Sequence, residues 1–198
     1  MRTPSKRQLE KARALFQQNE PRDLFYKAAT ELVTLAFENK TSISVAEAIS
    51  ILLQTWNKQV YRFKKFTEDD VILLEQNIIK HDGTIKRFRD RSIRLLSSEE
   101  ESTLVCVFQD FENPRGPVGA AKTLHLLAPK FFPLWDDKIA KKGYGIRFGR
   151  TGTNGQKYLS FIKATVKQVS DIGRFGIQDP LKRLDEFNYC KYSKKWLQ

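Results

Sequence analysis

Two prolines and two glycines fall within seven residues, Asn113-Pro114-Arg115-Gly116-Pro117-Val118-Gly119, with an apolar segment on either side. Proline lacks the N–H that a helix needs and stops it. Glycine adopts the positive φ of a tight turn cheaply and lets a ligand approach the backbone. The stretch therefore predicts a turn between two helices. The second helix, through Ala120 to Ala128, would begin with free N–H groups and the positive end of its dipole, a setting that suits a phosphate. Lys122 stands just inside it. Beyond come Pro129-Lys130-Phe131-Phe132-Pro133-Leu134-Trp135 and then two acids, Asp136 and Asp137. The picture is helix, hairpin, helix, with a carboxylate delivered shortly afterwards beside Lys122.

The rest of the chain also reads as helix. Leu9, Ala12, Leu15 and Phe16 recur at helical spacing within 4–18, as do Leu24, Phe25, Ala28, Leu32, Leu35 and Ala36 within 21–39. Ser44 followed by Glu47 is a capping box that opens a helix through Ala46, Ile49, Leu52, Leu53 and Trp56. Val60 to Phe66 is basic and aromatic. Thr67 with Asp69 and Asp70 caps the next helix, which His81-Asp82-Gly83 breaks. A basic helix is expected over 85–96. Ser97 and Ser98 precede three glutamates that favour the start of another helix. After a helical segment to about Lys142, residues 143–155 form a Gly-rich basic loop with no G-K-S/T ending. Helices from about Gln156 to Ile172 and from Pro180 to Tyr189 finish the chain. No strand alternation is sustained, so the expected fold is all-α, with nine or ten helices.

This order of motifs resembles the helix-hairpin-helix DNA glycosylase superfamily, which includes endonuclease III and the 8-oxoguanine glycosylases. Val118-Gly119 and Lys122-Thr123 match the hairpin and its K-T pair, with one residue more between them than in the family. Asp136-Asp137-Lys138-Ile139 matches the family's D-x-x-V. Ile51-Leu52-Leu53-Gln54-Thr55-Trp56-Asn57 is similar to the segment I-L-x-Q-Q-T, and the helix after Gly83 to G-Y-Y-R-A-R-x-L.

The resemblance implies two helical lobes with a DNA-binding cleft between them. One lobe spans 43–128, including the hairpin. The other is built from 1–42 plus 129–198. It also implies excision of a damaged or modified base from double-stranded DNA, for repair or for defence against modified foreign DNA. Asp136 is then the catalytic carboxylate and Asp137 the second candidate. Lys122 either attacks the sugar, which adds lyase activity, or binds phosphate. Gly116, Val118, Gly119, Ala121 and Lys138 would hold the DNA backbone. Gln54, Trp56, Asn57 and Trp135 would line the base pocket or fill the gap left by the flipped base. For Trp56 a place in the core is an equal alternative, Phe132 and Trp135 could stack on the base although such aromatics are more often core, and one of the two aspartates suits a helix cap.

Charge and cysteine usage bound the remaining classes. Net charge is +12, and residues from Lys138 onward hold 14 Lys/Arg against 4 acids, leaving +2 for the first 137 residues. Such asymmetry suits a polyanion partner as well as a solvated surface. Cys106 and Cys190 lack metal spacing, which implies a reducing, cytoplasmic setting and leaves out the four-cysteine iron–sulfur cluster of some family members. With only His81 and His125, neither a His-rich metal site nor a His-based triad is expected, and His125 reads as a packed histidine. No cofactor, metal or membrane span is expected, and the default state is a monomer. The competing class is a helix-hairpin-helix module that binds DNA without catalysis. An RNA-binding protein lacks support, because no aromatic β-sheet signature is present.

Overall fold

Short-range caps set most helix boundaries. In the computed structural model, which describes residues 2–21, 23–56 and 67–197, the backbone is helical and has no strand among the described residues. Asn57 and the basic segment 60–66 lie outside the described residues, and Trp56 is described by its backbone alone. The Ser44–Glu47 box forms as read: the Ser44 N–H donates to Glu47 Oε2 at 2.7 Å, and the Glu47 N–H to Ser44 Oγ at 3.1 Å. It opens α3 (Val45–Trp56). A second box, Ser5 with Gln8, opens α1 (Lys6–Asn19). Between them runs α2 (Asp23–Phe37). The Thr67 N–H donates to Asp70 Oδ2 at 3.1 Å at the head of α4 (Glu68–Lys80).

The basic helix expected over 85–96 is shorter. It is α5 (Asp82–Arg89), followed by a separate single turn at Ile93–Leu95. Ile93 is buried and its N–H donates to Lys130 O at 3.0 Å, so a long-range bond takes the amide that a longer helix would have used. Arg89 closes the end of another helix: Nη1 donates to Leu127 O at 2.8 Å and Nη2 to Thr34 Oγ1 at 3.0 Å.

The remaining helices are α6 (Glu101–Leu127), α7 (Gly155–Gly173) and α8 (Pro180–Asn188). The first arm of α6 packs on α7. The two chain ends meet, because α1 lies along α8 and the π turn Tyr189–Ser193. Arg13 pairs with Glu186 at 2.6 Å, and Thr3 Oγ1 donates to Asp171 Oδ2 at 2.7 Å. The buried side chains form one hydrophobic cluster that draws on every α-helix. No helix among the described residues is long and apolar enough to cross a membrane.

Candidate nucleic-acid interface and carboxylate site

The expected turn at 113–119 is narrower than the sequence suggests. Helical geometry holds to Arg115, breaks at the single residue Gly116 (φ 69°, ψ 171°) and resumes at Pro117. Only glycine takes that φ without strain. Pro117 then occupies a first-turn position, where its missing N–H costs nothing. Pro114 leaves the Asp110 carbonyl without its helical donor, and Asn77 Nδ2 on α4 donates to that oxygen instead at 3.1 Å. Gly116 and Val118 are half-exposed, whereas Gly119 and Ala121 are buried. Lys122 lies one turn further along, half-buried between Ala121 and Thr123.

A single hydrogen bond joins this bend to the carboxylate segment. Trp135 Nε1 donates to Pro117 O at 3.0 Å, and Asp136 follows directly. Trp135 itself is 1% exposed, with Phe148 and Tyr158 at centroid distances of 4.6 and 5.0 Å and Phe161 beyond. Its ring is therefore in the core, away from any surface a base could stack on. Phe132 is likewise buried.

Asp136 is held at both oxygens. Oδ1 accepts the Ile139 N–H at 2.7 Å, and Oδ2 accepts the Ser193 hydroxyl at 2.6 Å. The first bond caps the helical turn that begins at Asp137 and runs on into the π turn Ile139–Gly143. The second comes from the C-terminal π turn, 57 residues away in the chain. A carboxylate with two oxygens offers about four lone-pair directions, so two remain for a ligand. Asp137 and Lys138 are exposed beside it.

From Lys138 to Ser170 there are eight Lys/Arg and no acid. Lys163 pairs with Glu101 at 2.7 Å, but among the described residues Lys138, Lys141, Lys142, Arg147, Arg150 and Lys157 make no ion pair. The loop that carries Arg147 and Arg150 is fastened to the bent helix. Glu112, fully buried on α6, accepts the Asn154 N–H at 3.0 Å and the Asn154 side-chain amide. Asn154 Oδ1 accepts the Gly149 N–H at 2.6 Å, and Gln109 Nε2 donates to Gly152 O at 3.3 Å. Gly152 has φ 86°, and a Cβ there would stand 2.5 Å from Asn113 Oδ1, so the loop lies directly against the bend.

Gln54 lies elsewhere. It is exposed on α3 and lines a groove of about 380 Å³ with Ile43, Glu47, Ser50, Ile51 and Val71, none of which belongs to the bend or the carboxylate segment. Glu112, Asn154 and Ser193 are not among the residues that the sequence marks as functional. Asn154 alone carried a signal, as a cap-type residue directly before a helical period.

A buried titratable cluster lies behind Asp136. His125 is buried as expected: Nδ1 donates to Phe132 O at 2.7 Å, and Nε2 takes the Tyr26 hydroxyl at 2.9 Å. Burial lowers its pKa to about 4. On α8, burial raises the Asp185 carboxyl to about 7; Lys182 opposes the shift, while Glu186, Asp136 and Asp23 add to it. Between the unfolded value near 3.9 and the folded value, the native chain holds a proton that the unfolded chain has lost. Asp185 therefore makes stability fall as pH rises from about 4 to about 7. His125 acts the other way over much of that range, because the unfolded chain takes up a proton below about 6.5 that the buried ring refuses. Asp185→Asn is expected to stabilise the fold at pH 8 and to leave it unchanged below pH 4. A fully dry shift of this size corresponds to about 4 kcal/mol, but Asp185 keeps an edge open to water, so the gain is on the order of 2 kcal/mol. Urea melts at pH 4 and pH 8 measure it; an equal gain at both would rule out the titration as its cause.

No protein-family model, curated protein or solved structure matches the chain.

Proposed function

We propose that this protein is a DNA glycosylase that draws a damaged or modified base out of duplex DNA and cleaves its N-glycosidic bond. The observation that carries the reading is the Trp135–Pro117 hydrogen bond. It supports one surface on which the bend, the oriented Asp136 carboxylate and the unpaired cations after it act together. Loss of the base leaves positive charge on the sugar, and a fixed carboxylate stabilises that charge and directs water to it. Asp136 has that role, with Asp137 as the second candidate. In this reading Gly116, Val118 and Lys138 form the backbone-binding element of a helix-hairpin-helix, while Gly119 and Ala121, expected to touch the DNA, are buried and only support it. The DNA lies in a cleft between the lobe 43–128 and the lobe formed by both chain ends. Trp56 and Asn57 fill the gap left by the flipped base, and Gln54, which faces a separate groove, is left out of that role. The protein works as a monomer in the cytoplasm.

The test is an excision panel. Duplexes with oxidised, deaminated, alkylated or enlarged bases are incubated with the protein and read with and without alkali. Cleavage from at least one of them is expected. Cleavage only after alkali means water is the nucleophile; cleavage without alkali means an amine performs lyase chemistry. For the second outcome Lys122 is the amine. It would attack the sugar carbon, displace the base and form an imine that borohydride reduces to a stable adduct. Lys122→Gln is expected to abolish that adduct, and trapping that persists in the variant would exclude the role.

A second reading has its own support. Both oxygens of Asp136 already hold local partners, as suits a cap in a DNA-binding module without catalysis. Tight duplex binding with no abasic product from any substrate would favour it.

A further inference from the structure

The bend and Asp136 leave unexplained why a fully buried carboxylate should fasten a surface loop. Among the described residues Glu112 has no cationic partner; the N–H and side-chain amide of Asn154 satisfy it. Burying a carboxyl group with only dipoles to match it is costly. What it fixes is a segment without acids whose exposed tips are Arg147 and Arg150. The loop is held at further points. Phe148 lies on Trp135 at 4.6 Å, the Ile146 N–H donates to Ala140 O at 2.9 Å, the Gly149 N–H is bound by Asn154, and Gly152 abuts Asn113. The Tyr144 hydroxyl donates to Gln168 at 2.7 Å and accepts from Asn188 Nδ2 at 3.0 Å, which fixes the start of the loop. A loop meant only to solubilise needs none of these ties.

We infer that residues 144–154 form a second phosphate-binding element beside the bend, with Arg147 and Arg150 touching the nucleic-acid backbone and the Glu112–Asn154 clamp positioning them. The inference rests on the duplex-binding part of the proposed function and adds to it a contact outside the hairpin. Such contacts carry affinity and no base preference. Each phosphate neutralised releases counterions, so log K falls against log salt with a slope of about 0.9 per contact.

The experiment measures affinity for an unmodified duplex across a salt series. The proteins are wild type, the double variant Arg147→Gln/Arg150→Gln, Asn154→Ala, and Lys163→Gln as a cation that is already paired. The double variant is expected to lower the slope by about 2 and to weaken binding equally on unrelated duplex sequences. Asn154→Ala retains every cation, yet it is expected to lose a comparable part of the slope at temperatures well below its melting point. A purely structural role would lower the melting point and leave the slope alone. Lys163→Gln should match wild type. If Asn154→Ala does not fold, the double variant decides, since its side chains are exposed. Wild-type slope in the double variant would overturn the inference and leave the proposed function standing. No duplex binding by the wild type at low salt would overturn both.

Discussion

Asp136→Asn is expected to lower base excision roughly a thousandfold, with the fold and duplex affinity kept. The charge is what stabilises a developing sugar cation, and asparagine removes it. The cap survives, because the carboxamide oxygen still accepts the Ile139 N–H that Asp136 Oδ1 now holds at 2.7 Å. Asparagine is as good a helix cap as aspartate. At the other atom the amide N–H₂ replaces an acceptor, and the Ser193 hydroxyl can rotate from donor to acceptor. The stability change should therefore stay within about 1 kcal/mol, so lost turnover would not mean lost structure. Single-turnover excision and salt-matched binding are measured on the same preparation. Wild-type excision by the variant would remove Asp136 from the chemistry and shift the role to the exposed Asp137. Ser193→Ala keeps the charge and removes one tether, and a smaller loss is expected from it.

The parts of this molecule legible in the sequence are those decided within a few residues. Ser44 and Glu47, three apart, form their box as written, and the helical period locates α1, α2, α7 and α8 closely. The break at Gly116 was visible as composition, but its width was not. Asn77 from α4 serves the carbonyl that Pro114 cannot reach, so the first arm stays helical to the glycine. The same distance effect hid the clamp. In F-E-N-P, Glu112 reads as a surface acid; its burial is decided by Asn154, 42 residues on. Ser193 lies 57 residues from Asp136. An aromatic next to a candidate carboxylate fits a base pocket or the core equally well in the sequence, which shows the side chain without its direction. For Trp135 the surrounding Phe108, Tyr158 and Phe161 set that direction inward.

That inward direction makes Trp135→Ala the most destabilising substitution expected at the site, on the order of 4 kcal/mol. A buried tryptophan truncated to alanine leaves a cavity among rings that close-packed neighbours cannot fill. It also leaves Pro117 O without the donor now 3.0 Å away and Phe148 without the ring it rests on. The bend and the basic loop would loosen together, because Trp135 touches both. Trp135→Phe separates the contributions. It keeps most of the ring volume but not the N–H, and its cost should be roughly 1–3 kcal/mol for the unsatisfied carbonyl and the smaller side chain. Urea unfolding of both variants gives the two numbers. A base-stacking residue would behave in the opposite way: its loss would cut excision while barely changing the unfolding midpoint. A cost below about 1 kcal/mol for Trp135→Ala would therefore take Trp135 out of the core and return it to the base pocket.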